Sequence, residues 1–355
     1  MKVLKAVLKI LLAVVIVLIV LVAAVLIWLT IVEYRPEATE NVAVQSLNGE
    51  AKELAAGDKI KIVTWNLGFG ALGDNADFFM DGGKMVYPAD EPRVKENLNA
   101  FINEVSLQDP DIVMFQEIDI DSDRSYHIDQ TKYFDDLGYY NKAFAYNFKV
   151  AYAPVPVPPM GKIDSGVATY SKSPISSAER ISLPCPFSWP LRIINLKRCI
   201  LVTRIPVEGG KELVILNFHL EAYDDGEGKI AQAKMLMDIL EEENAKGNYV
   251  IAGGDFNQTF STINNKFPVL PEQWQPGIMD VDSFTDDWQF IMSEDVPSCR
   301  SIYAPLAGND PSSLQYYIID GFIISSNISV DSYYIEDLGF ANSDHNPQIL
   351  YITLE

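Results

Sequence analysis

Apolar residues form one long uninterrupted run near the start of the chain and many short runs after it. The long run covers residues 10–32, carries no charge and has Thr30 as its only hydroxyl side chain. A helix rises about 1.5 Å per residue, so this run can cross the roughly 30 Å hydrocarbon layer of a bilayer. The pattern therefore predicts a transmembrane helix over residues 10–32.

The charges on either side of this run predict its orientation. Lys2, Lys5 and Lys9 precede it, whereas residues 33–40 are mixed in charge and net acidic. The positive-inside rule then places residues 1–9 in the cytoplasm and the rest of the chain outside. The bulky residues 28–35 do not resemble a signal-peptide cleavage site. We therefore expect a single-pass protein of the cell membrane with an uncleaved anchor.

Short apolar runs dominate the remainder of the chain. Residues 33–58 are polar and weakly periodic, which predicts a linker. From residue 59 onward, apolar runs rich in Val, Ile, Tyr and Phe alternate with turn clusters, and we expect one domain over residues 59–355. The predicted strands cover residues 60–65, 112–115, 166–170, 199–205, 213–216, 249–252, 317–324 and 348–354.

Two segments, residues 91–105 and 229–245, have the periodicity of helices. The expected buried faces are Val94, Leu98, Ile102 and Val105 in the first helix, and Ile230, Ala233, Met237 and Leu240 in the second. Many strands with few helices predict a sheet-on-sheet core with helices outside. Among 355 residues, 48% are hydrophobic, which is enough for a large core.

The net charge of −22 narrows the range of substrates. A surface this acidic repels polyphosphate backbones, which disfavours long nucleic acid, although the acidity is equally explained by solubility outside the cell. Cys185, Cys199 and Cys299 lack CxxC spacing and form neither a zinc cluster nor a disulfide framework. They are expected as buried free thiols, with one bridged pair as the alternative.

Three loops are unusual in composition. Residues 74–90 are rich in Gly and Asp, residues 153–160 are rich in proline, and residues 183–190 combine prolines with aromatic residues. On an anchored domain such loops contact lipid or ring-like substrate groups, or they pack as ordinary loops. Both interpretations remain open from the sequence.

Polar side chains follow two of the predicted strands. Asn66 follows the run at 60–65, and Glu117 follows the run at 112–115. Oxygen ligands of these types suit Mg²⁺. An Asn after a strand is also frequent in turns. A Glu after a strand is also found where the chain simply leaves the core and enters solvent.

Acid–base residues follow the other strands. His219 follows an apolar strand, where core packing is the common alternative role for a histidine. Two glycines precede Asp255 and Asn257, which point the same way. Asp320 interrupts an apolar run, where a carboxylate is costly unless it is paired. We expect His345 as its partner, with the second ring nitrogen free for proton transfer.

Together these clusters resemble the endonuclease/exonuclease/phosphatase superfamily of metal-dependent phosphoesterases. The pieces occur in the family's order and cover roughly residues 60–350. The matching segments are Trp65-Asn66, Gln116-Glu117, residues 165–175, Asn217-Phe218-His219-Leu220, Gly254-Asp255-Phe256-Asn257, Ile319-Asp320-Gly321-Phe322 and Ser343-Asp344-His345.

The resemblance implies a four-layered α/β sandwich, in which two packed, mainly antiparallel sheets are flanked by helices and the site lies at one end. It implies a Mg²⁺ site, with Mn²⁺ as the alternative ion. The implied metal ligands are Asn66 and Glu117, with Asp344 contributing. Asp255 would orient or activate the attacking water. Asn257 and His219 would hydrogen-bond the phosphate. His345, paired with Asp320, would act as general base or electrostatic stabiliser.

The chain departs from the family pattern in one place. Gly321 occupies a place where an aromatic residue is commoner, which predicts a locally wider site. The basic pair Lys197-Arg198 is either a contact for a substrate phosphate or an exposed pair. His219, in place of the tyrosine of abasic-site enzymes, favours the sphingomyelinase, phosphatase and deoxyribonuclease branches.

The sequence thus predicts a membrane-anchored, Mg²⁺-dependent phosphoesterase acting on phospholipid head groups or small phosphate esters. The alternative enzyme is an extracytoplasmic nuclease acting on DNA or RNA. A catalytically inactive, membrane-anchored binding module is the alternative of another class. The expected partners are the membrane and the phosphate ester, and no protein partner is predicted.

Overall fold

The computed structural model describes residues 2–224, 226–282, 284 and 287–355. In these residues the chain forms three α-helices, which are α1 Lys2–Ile31, α2 Glu91–Gln108 and α3 Glu227–Ala245. The strands of the same part of the chain are β1 Thr39–Val42, β2 Val44–Ser46, β3 Lys59–Asn66, β4 Ile112–Asp119, β5 Asn141–Ala153, β6 Gly161–Ser171, β7 Ser177–Ser182, β8 Cys199–Pro206, β9 Glu212–His219, β10 Tyr249–Asp255, β11 Gln258–Phe260, β12 Gly277–Met279, β13 Trp288–Ile291, β14 Cys299–Arg300, β15 Tyr316–Tyr317, β16 Asp320–Ser325, β17 Ile328–Ile335 and β18 Gln348–Leu354.

Most strands belong to two seven-stranded sheets. Sheet I has the order β1-β7-β8-β9-β10-β16-β13, and sheet II has the order β17-β18-β3-β4-β6-β5-β2. Neighbouring strands are antiparallel except β9 with β10 in sheet I and β3 with β4 in sheet II. The sheets are therefore mixed and mainly antiparallel, as predicted.

Three apolar clusters separate the layers of the fold. One lies between α2 and sheet II and includes Val94 and Phe115. A second fills the space between the two sheets and includes Ile62 and Leu201. The third lies between sheet I and α3 and includes Leu240. The order helix, sheet, sheet, helix confirms the predicted four-layered sandwich.

Helix α2 begins where the sequence provides a cap and a proline. Asp90 accepts a hydrogen bond from a first-turn backbone N–H at 2.9 Å, and Pro92 lies in that turn. Asp109, with a φ of 45°, ends the helix one turn after the predicted end. Phe101 is buried, whereas Ile102, which belongs to the predicted buried face, is only partly buried. The buried face of α2 is therefore rotated by one residue from the predicted face.

Helix α3 packs Leu236, Met237 and Leu240 against sheet I. The prediction for Met237 and Leu240 is confirmed. Ile230 was predicted to be buried, but its side chain is 71% exposed. The first turn of the helix packs closely through Gly228 against Pro186, which leaves Ile230 facing outward.

Residues 39–46 form two edge strands within the segment predicted to be a linker. Strand β1 pairs with β7 of sheet I, and β2 pairs with β5 of sheet II. Their side chains are exposed or half-buried, so main-chain hydrogen bonds hold these strands with little apolar burial. Such strands leave no clear alternating apolar pattern. The linker predicted for residues 33–58 is therefore interrupted by paired strands.

Helix α1 is long and apolar enough to cross a membrane, and a signal sequence near an N-terminus meets the same description. It begins at Lys2, so the N-terminal lysines belong to its first turns. Its side chains are exposed along almost the whole length, and Leu29, near its end, is buried.

Glu243, near the end of α3, is a buried carboxylate that holds this helix to sheet I. It accepts hydrogen bonds from Arg204 at 2.6 and 2.9 Å, and from Lys246 and Asn248 at 2.9 Å. Burial alone would raise the pKa of Glu243, but these bonds lower it from 4.5 to about 2.

Replacing Glu243 by Gln is expected to lower the free energy of unfolding by about 2–3 kcal/mol at pH 7, because Arg204 then keeps only a neutral partner. A lowered folded-state pKa contributes stability above the unfolded-state pKa, and that contribution is lost as the pH falls towards 2. Urea unfolding at pH 7 and pH 3 should therefore show a smaller difference from wild type at pH 3. Glu242→Gln, at a side chain 71% exposed, is the control. An equal loss at both pH values would contradict this account.

Candidate active site

Four strands bring polar side chains to one end of the sandwich. Strands β3 and β4 run parallel and end near Asn66 and Glu117, and β9 and β10 run parallel and end at His219 and Asp255. Parallel neighbours end at the same edge of a sheet. The Asn66 amide nitrogen lies 3.1 Å from the Asp255 carboxylate, which joins the ends of the two sheets.

Backbone geometry explains the residues around Asp255. A Cβ on Gly254, whose φ is 143°, would lie 2.1 Å from the carbonyl oxygen of Phe218. Glycine is therefore required for β10 to pass β9 this closely. Asn257 adopts a left-handed φ of 51°, a conformation that Asn tolerates better than most residues.

Glu117 lies at an irregularity in the pairing of β4 with β6, between Phe115 and Ile118. Its own φ is 49°. A bulge of this kind re-aims a side chain at the edge of a sheet. The Glu117 carboxylate consequently reaches the Asn66 amide nitrogen at 3.1 Å and lines the cleft.

The segment before β18 is tied to β3 by contacts far apart in sequence. The Ser343 hydroxyl donates to the Asn66 carbonyl oxygen at 2.9 Å, and the Trp65 indole N–H donates to the His345 carbonyl oxygen at 2.9 Å. These bonds bring Asp344 and His345 to the ends of β3 and β10.

His345 and Asp320 form the pair that the sequence predicts. The distance from His345 Nδ1 to Asp320 Oδ2 is 2.9 Å, and both side chains are buried. Ser298 Oγ accepts from the Asp320 backbone N–H at 3.1 Å. Burial alone would lower the pKa of His345, but the neighbouring Asp320, Cys299 and Asp344 raise it well above its ordinary value.

Asp255 is the centre of the constellation. Its Oδ2 lies 3.4 Å from His219 Nε2 and 3.7 Å from His345 Nε2, and its Oδ1 accepts from the Asn257 backbone N–H at 2.9 Å. Burial, and then the nearby negative charge of Asp320, raise the pKa of Asp255 to about 7.

His219 Nδ1 and Asp344 Oδ1 are among the buried polar atoms of the site that have no hydrogen-bond partner in the described residues. Burial and the positive charge of Arg198 lower the pKa of His219 well below its ordinary value, so its ring is neutral at pH 7. Burial also raises the pKa of Asp344 to about 6, with a further contribution from Glu117.

These features fit a divalent cation beside Glu117 and Asp344. Two carboxylates that repel each other, one with an unpartnered buried oxygen, are suitable hard ligands. Asn66 differs from the sequence expectation in detail. Its amide nitrogen faces Glu117 and Asp255, while its oxygen accepts from the Gly68 backbone N–H at 3.0 Å. In this orientation Asn66 positions the two carboxylates.

The constellation opens into a cleft with about 930 Å³ of open space. The side chains near one wall are apolar or aromatic: Phe69, Leu72, Phe78, Phe148, Met160, Leu196 and Trp274. Asp81, from the Gly- and Asp-rich loop, also lines the cleft and accepts from the Tyr223 hydroxyl at 3.1 Å. The composition of that loop was the available signal for Asp81, yet sequence reasoning did not select this residue.

Three buried arginines line the cleft. Arg124 forms a two-point ion pair with Asp119 at 2.9 and 3.0 Å, and Arg198 pairs with Glu221 at 3.2 Å. Arg300 instead donates to the carbonyl oxygens of Gly73 and Ser301, and its Nε has no partner in the described part of the chain. Sequence reasoning missed Arg124 and Arg300, because no motif accompanies either residue.

Only Arg198 of the basic pair Lys197-Arg198 lines the cleft. Arg198 is buried there and donates to the His219 carbonyl oxygen at 3.0 Å. Both residues of the pair also line a second depression beside Glu33 and Arg192. The alternative of an exposed basic pair is therefore wrong for Arg198.

Two other residues of the motifs have structural positions. A Cβ on Gly321 would lie 2.3 Å from the Ile291 carbonyl oxygen, so the glycine allows the edge strand β13 to pack closely against β16. The expectation that Gly321 widens the cleft is therefore wrong. Asn217 bridges the sheets, since its amide nitrogen donates to the Ala168 carbonyl oxygen of sheet II at 2.9 Å and its oxygen accepts from Gln116 at 2.8 Å.

Comparison with known proteins agrees with this geometry. Residues 63–292 match the model of the Endonuclease/Exonuclease/phosphatase family. No curated protein sequence matches the chain. Among solved structures, an endonuclease/exonuclease/phosphatase from Beutenbergia cavernae DSM 12333 is similar, with 16% identity, a TM-score of 0.56, and coverage of 83% of this chain and 72% of that one.

Two further structures share the fold. The human Nocturnin catalytic domain with bound sulfate anion is 16% identical, with a TM-score of 0.52 and coverage of 88% of this chain and 97% of its own. D. rerio TDP2 complexed with single strand DNA product is 14% identical, with a TM-score of 0.51 and coverage of 83% and 99%. The chain therefore belongs to the endonuclease/exonuclease/phosphatase family, whose members hydrolyse phosphoester bonds with divalent metal ions.

Proposed function

We propose that the chain is a membrane-anchored, Mg²⁺-dependent phosphoesterase in which water attacks the phosphorus of a phosphate ester. The observation that carries this proposal is the buried Asp255 carboxylate, which lies within 3.1–3.7 Å of Asn66, His219 and His345 in the cleft. A carboxylate held among two imidazoles and an amide is suited to receive or direct the proton of a bound water.

Glu117 and Asp344 would hold the cation, and Mn²⁺ is the alternative ion. Asn66 positions Glu117 and Asp255 for this purpose, and its own oxygen becomes a ligand only if the amide turns over. The bound ion would neutralise charge on the phosphoryl oxygens and on the leaving group.

Asp255 orients the attacking water and takes its proton in this proposal. The water oxygen forms a bond to phosphorus as the bond to the leaving oxygen breaks, and the leaving oxygen takes a proton from solvent. His345 then acts chiefly as an electrostatic stabiliser, since Asp320 holds its Nδ1 and favours the charged ring. Its Nε2 side faces Asp255 and the reacting phosphate.

In this proposal, two neutral side chains and one cationic side chain donate hydrogen bonds to the phosphoryl oxygens. His219 is neutral and offers a ring nitrogen, and Asn257 uses one of its two amide hydrogens on the Leu220 carbonyl oxygen. Arg300 adds a buried guanidinium whose Nε lacks a partner in the described residues. These groups favour the growing negative charge of the transition state.

The net charge of −22 favours phospholipid head groups or small phosphate esters over polynucleotides. An extracytoplasmic nuclease is the second candidate, supported by the DNA product bound to the D. rerio TDP2 fold relative. An inactive binding module is disfavoured, because six of the eight motif side chains line one cleft, and the other two, Asn66 and Asp320, contact members of that set. A panel of sphingomyelin, lysophospholipid, inositol phosphates and plasmid DNA discriminates these substrates.

We propose a single membrane crossing by residues 10–32, with residues 1–9 in the cytoplasm and the catalytic domain, residues 59–355, outside. The apolar helix α1 and its N-terminal lysines support this topology. Protease treatment of intact cells should degrade the domain. A protected domain would contradict the outside placement.

The metal dependence is tested with the full chain in detergent micelles and bis(p-nitrophenyl) phosphate as substrate. Hydrolysis is expected with Mg²⁺ or Mn²⁺, and EDTA should abolish it reversibly. Glu117→Gln should raise the half-saturating Mg²⁺ concentration at least about 10-fold, a typical effect of weakening a metal site. Glu96→Gln, at an exposed position on α2, is the matched control. Hydrolysis that survives EDTA would refute the metal assignment.

A further inference from the structure

Two proline-rich loops expose apolar side chains to an unusual extent. Loop A, residues 154–160, joins β5 to β6, and loop B, residues 183–198, joins β7 to β8. Val157 of loop A is 92% exposed, and Leu191 of loop B is 60% exposed. Val155 and Trp189 are about half exposed, at 53% and 51%. Exposed large apolar side chains in two neighbouring connections to the same end of the sheets indicate a surface that contacts a partner.

Loop B and the end of strand β5, from which loop A starts, lie against the C-terminal end of helix α1. The Trp189 indole N–H donates to Thr30 Oγ1 at 3.2 Å. The rings of Trp28 and Tyr152, the latter near the start of loop A, are 6.5 Å apart. Arg192 of loop B donates to Glu33, just past the helix, at 2.9 Å. The segments that carry the exposed side chains are thus joined to the end of α1.

The position of these contacts along α1 sets their depth in a membrane. The last charge before the apolar run is Lys9, and about 20 residues at about 1.5 Å each span the roughly 30 Å hydrocarbon layer. That distance from Lys9 reaches Trp28 and Thr30. Tryptophan is enriched at this boundary between hydrocarbon and head groups. Loop B, bonded to Thr30, therefore lies at the level of the lipid head groups.

We propose that loops A and B form a docking surface for the lipid bilayer and hold the catalytic cleft against the leaflet from which α1 emerges. This inference rests on the membrane anchoring proposed above and adds the surface through which the domain meets the lipid. The apolar side chains of Val155, Val157, Trp189 and Leu191 enter the head-group boundary, as those of shallow interfacial anchors do.

The sheet register places this surface at the catalytic end of the sandwich. Loop A follows the end of β5, and β5 and β6 extend past the Glu117 end of β4. Loop B ends at Cys199, beside the His219 end of β9. Met160 and Leu196, at the ends of the two loops, line the cleft itself. The substrate class that this arrangement favours is a phosphoester lipid held in the bilayer.

The depth of the loops is measured on the full chain in phosphatidylcholine vesicles. An environment-sensitive fluorophore is attached to cysteine in Val157→Cys or Leu191→Cys, in a Cys185→Ser background. Cys199 and Cys299 are buried, and the background chain without an added cysteine reports residual labelling. Spin-labelled lipids then quench a fluorophore that lies at the membrane, whichever way the chain is inserted.

Leu107→Cys is the matched control. Leu107 is 78% exposed near the end of α2, and β4 then carries the chain from Ile112 to Glu117, about 17 Å further on at about 3.3 Å per residue. Val15→Cys, within α1, reports whether the helix is inserted. We expect quenching at residues 157 and 191 to exceed quenching at residue 107 at least about twofold.

Strong quenching at residue 15, with residues 157 and 191 no more quenched than residue 107, would overturn the docking surface. Absence of quenching at residue 15 would overturn the anchoring and the docking surface together. Neither result depends on catalysis. Hydrolysis of the soluble ester by the same chain separately tests the proposed chemistry.

Discussion

Replacing Asp255 by Asn is expected to lower kcat by about 10²- to 10⁴-fold, the range observed when a positioned acid–base group is lost. The amide has the shape of the carboxylate and can still accept the Asn257 backbone N–H at Oδ1. It cannot take a proton from water at neutral pH. Rates with bis(p-nitrophenyl) phosphate at saturating Mg²⁺ measure the effect.

A matched replacement separates catalysis from stability in this experiment. Asp238→Asn removes a carboxylate that is 63% exposed and pairs with Lys234 on the surface of α3. It should leave both kcat and the thermal midpoint of unfolding near the wild-type values. If Asp255→Asn retains more than a third of wild-type kcat while folded, Asp255 is not the proton acceptor.

The second large effect is expected for Asp320→Asn, at a carboxylate that acts through His345. Asp320 accepts from His345 Nδ1 and thereby orients the ring and favours its charged form. The amide of the variant would donate to Nδ1 and so favour a neutral ring with its proton on Nε2. The comparable change in a serine protease triad lowers kcat about 10⁴-fold. We expect a loss of kcat of about 10²- to 10⁴-fold with KM changed little.

Nitrogen NMR of labelled histidine distinguishes this positioning role from a structural one. The chain has three histidines, and His127, half exposed on the surface, serves as the internal reference. The Nδ1 and Nε2 shifts of His345 should change in Asp320→Asn while those of His127 remain. An unchanged His345 spectrum, or a rise in KM that accounts for the whole loss, would argue against the assigned role.

The central strands were predictable because each combines an apolar run with an abrupt polar end. The run at 249–252, followed by two glycines and Asp255, leaves few alternatives to a buried strand that ends at a site. Strands β1 and β2 could not be predicted, since their stability comes from main-chain pairing and their side chains stay largely in water. Ile230 and Ile102 show a further limit, because periodicity alone does not orient a helix on its sheet.

The same distinction applies to the candidate site. Asp320 with His345 followed from the cost of an unpaired carboxylate in an apolar strand, and the structure contains that pair. Arg300 could not be foreseen, because its importance arises from the carbonyl oxygens of Gly73 and Ser301 that fold around it. The orientation of the Asn66 amide likewise depends on Gly68, Glu117 and Asp255 together.

The bond between Trp65 and His345 joins residues 280 positions apart in the chain. Contacts of such high sequence separation require closure of a long loop, which costs conformational entropy. The catalytic constellation therefore cannot be assembled by any fragment that contains only one of the two segments. The assembled site accordingly requires the complete native topology, and forms in which the two segments have not yet met lack that site.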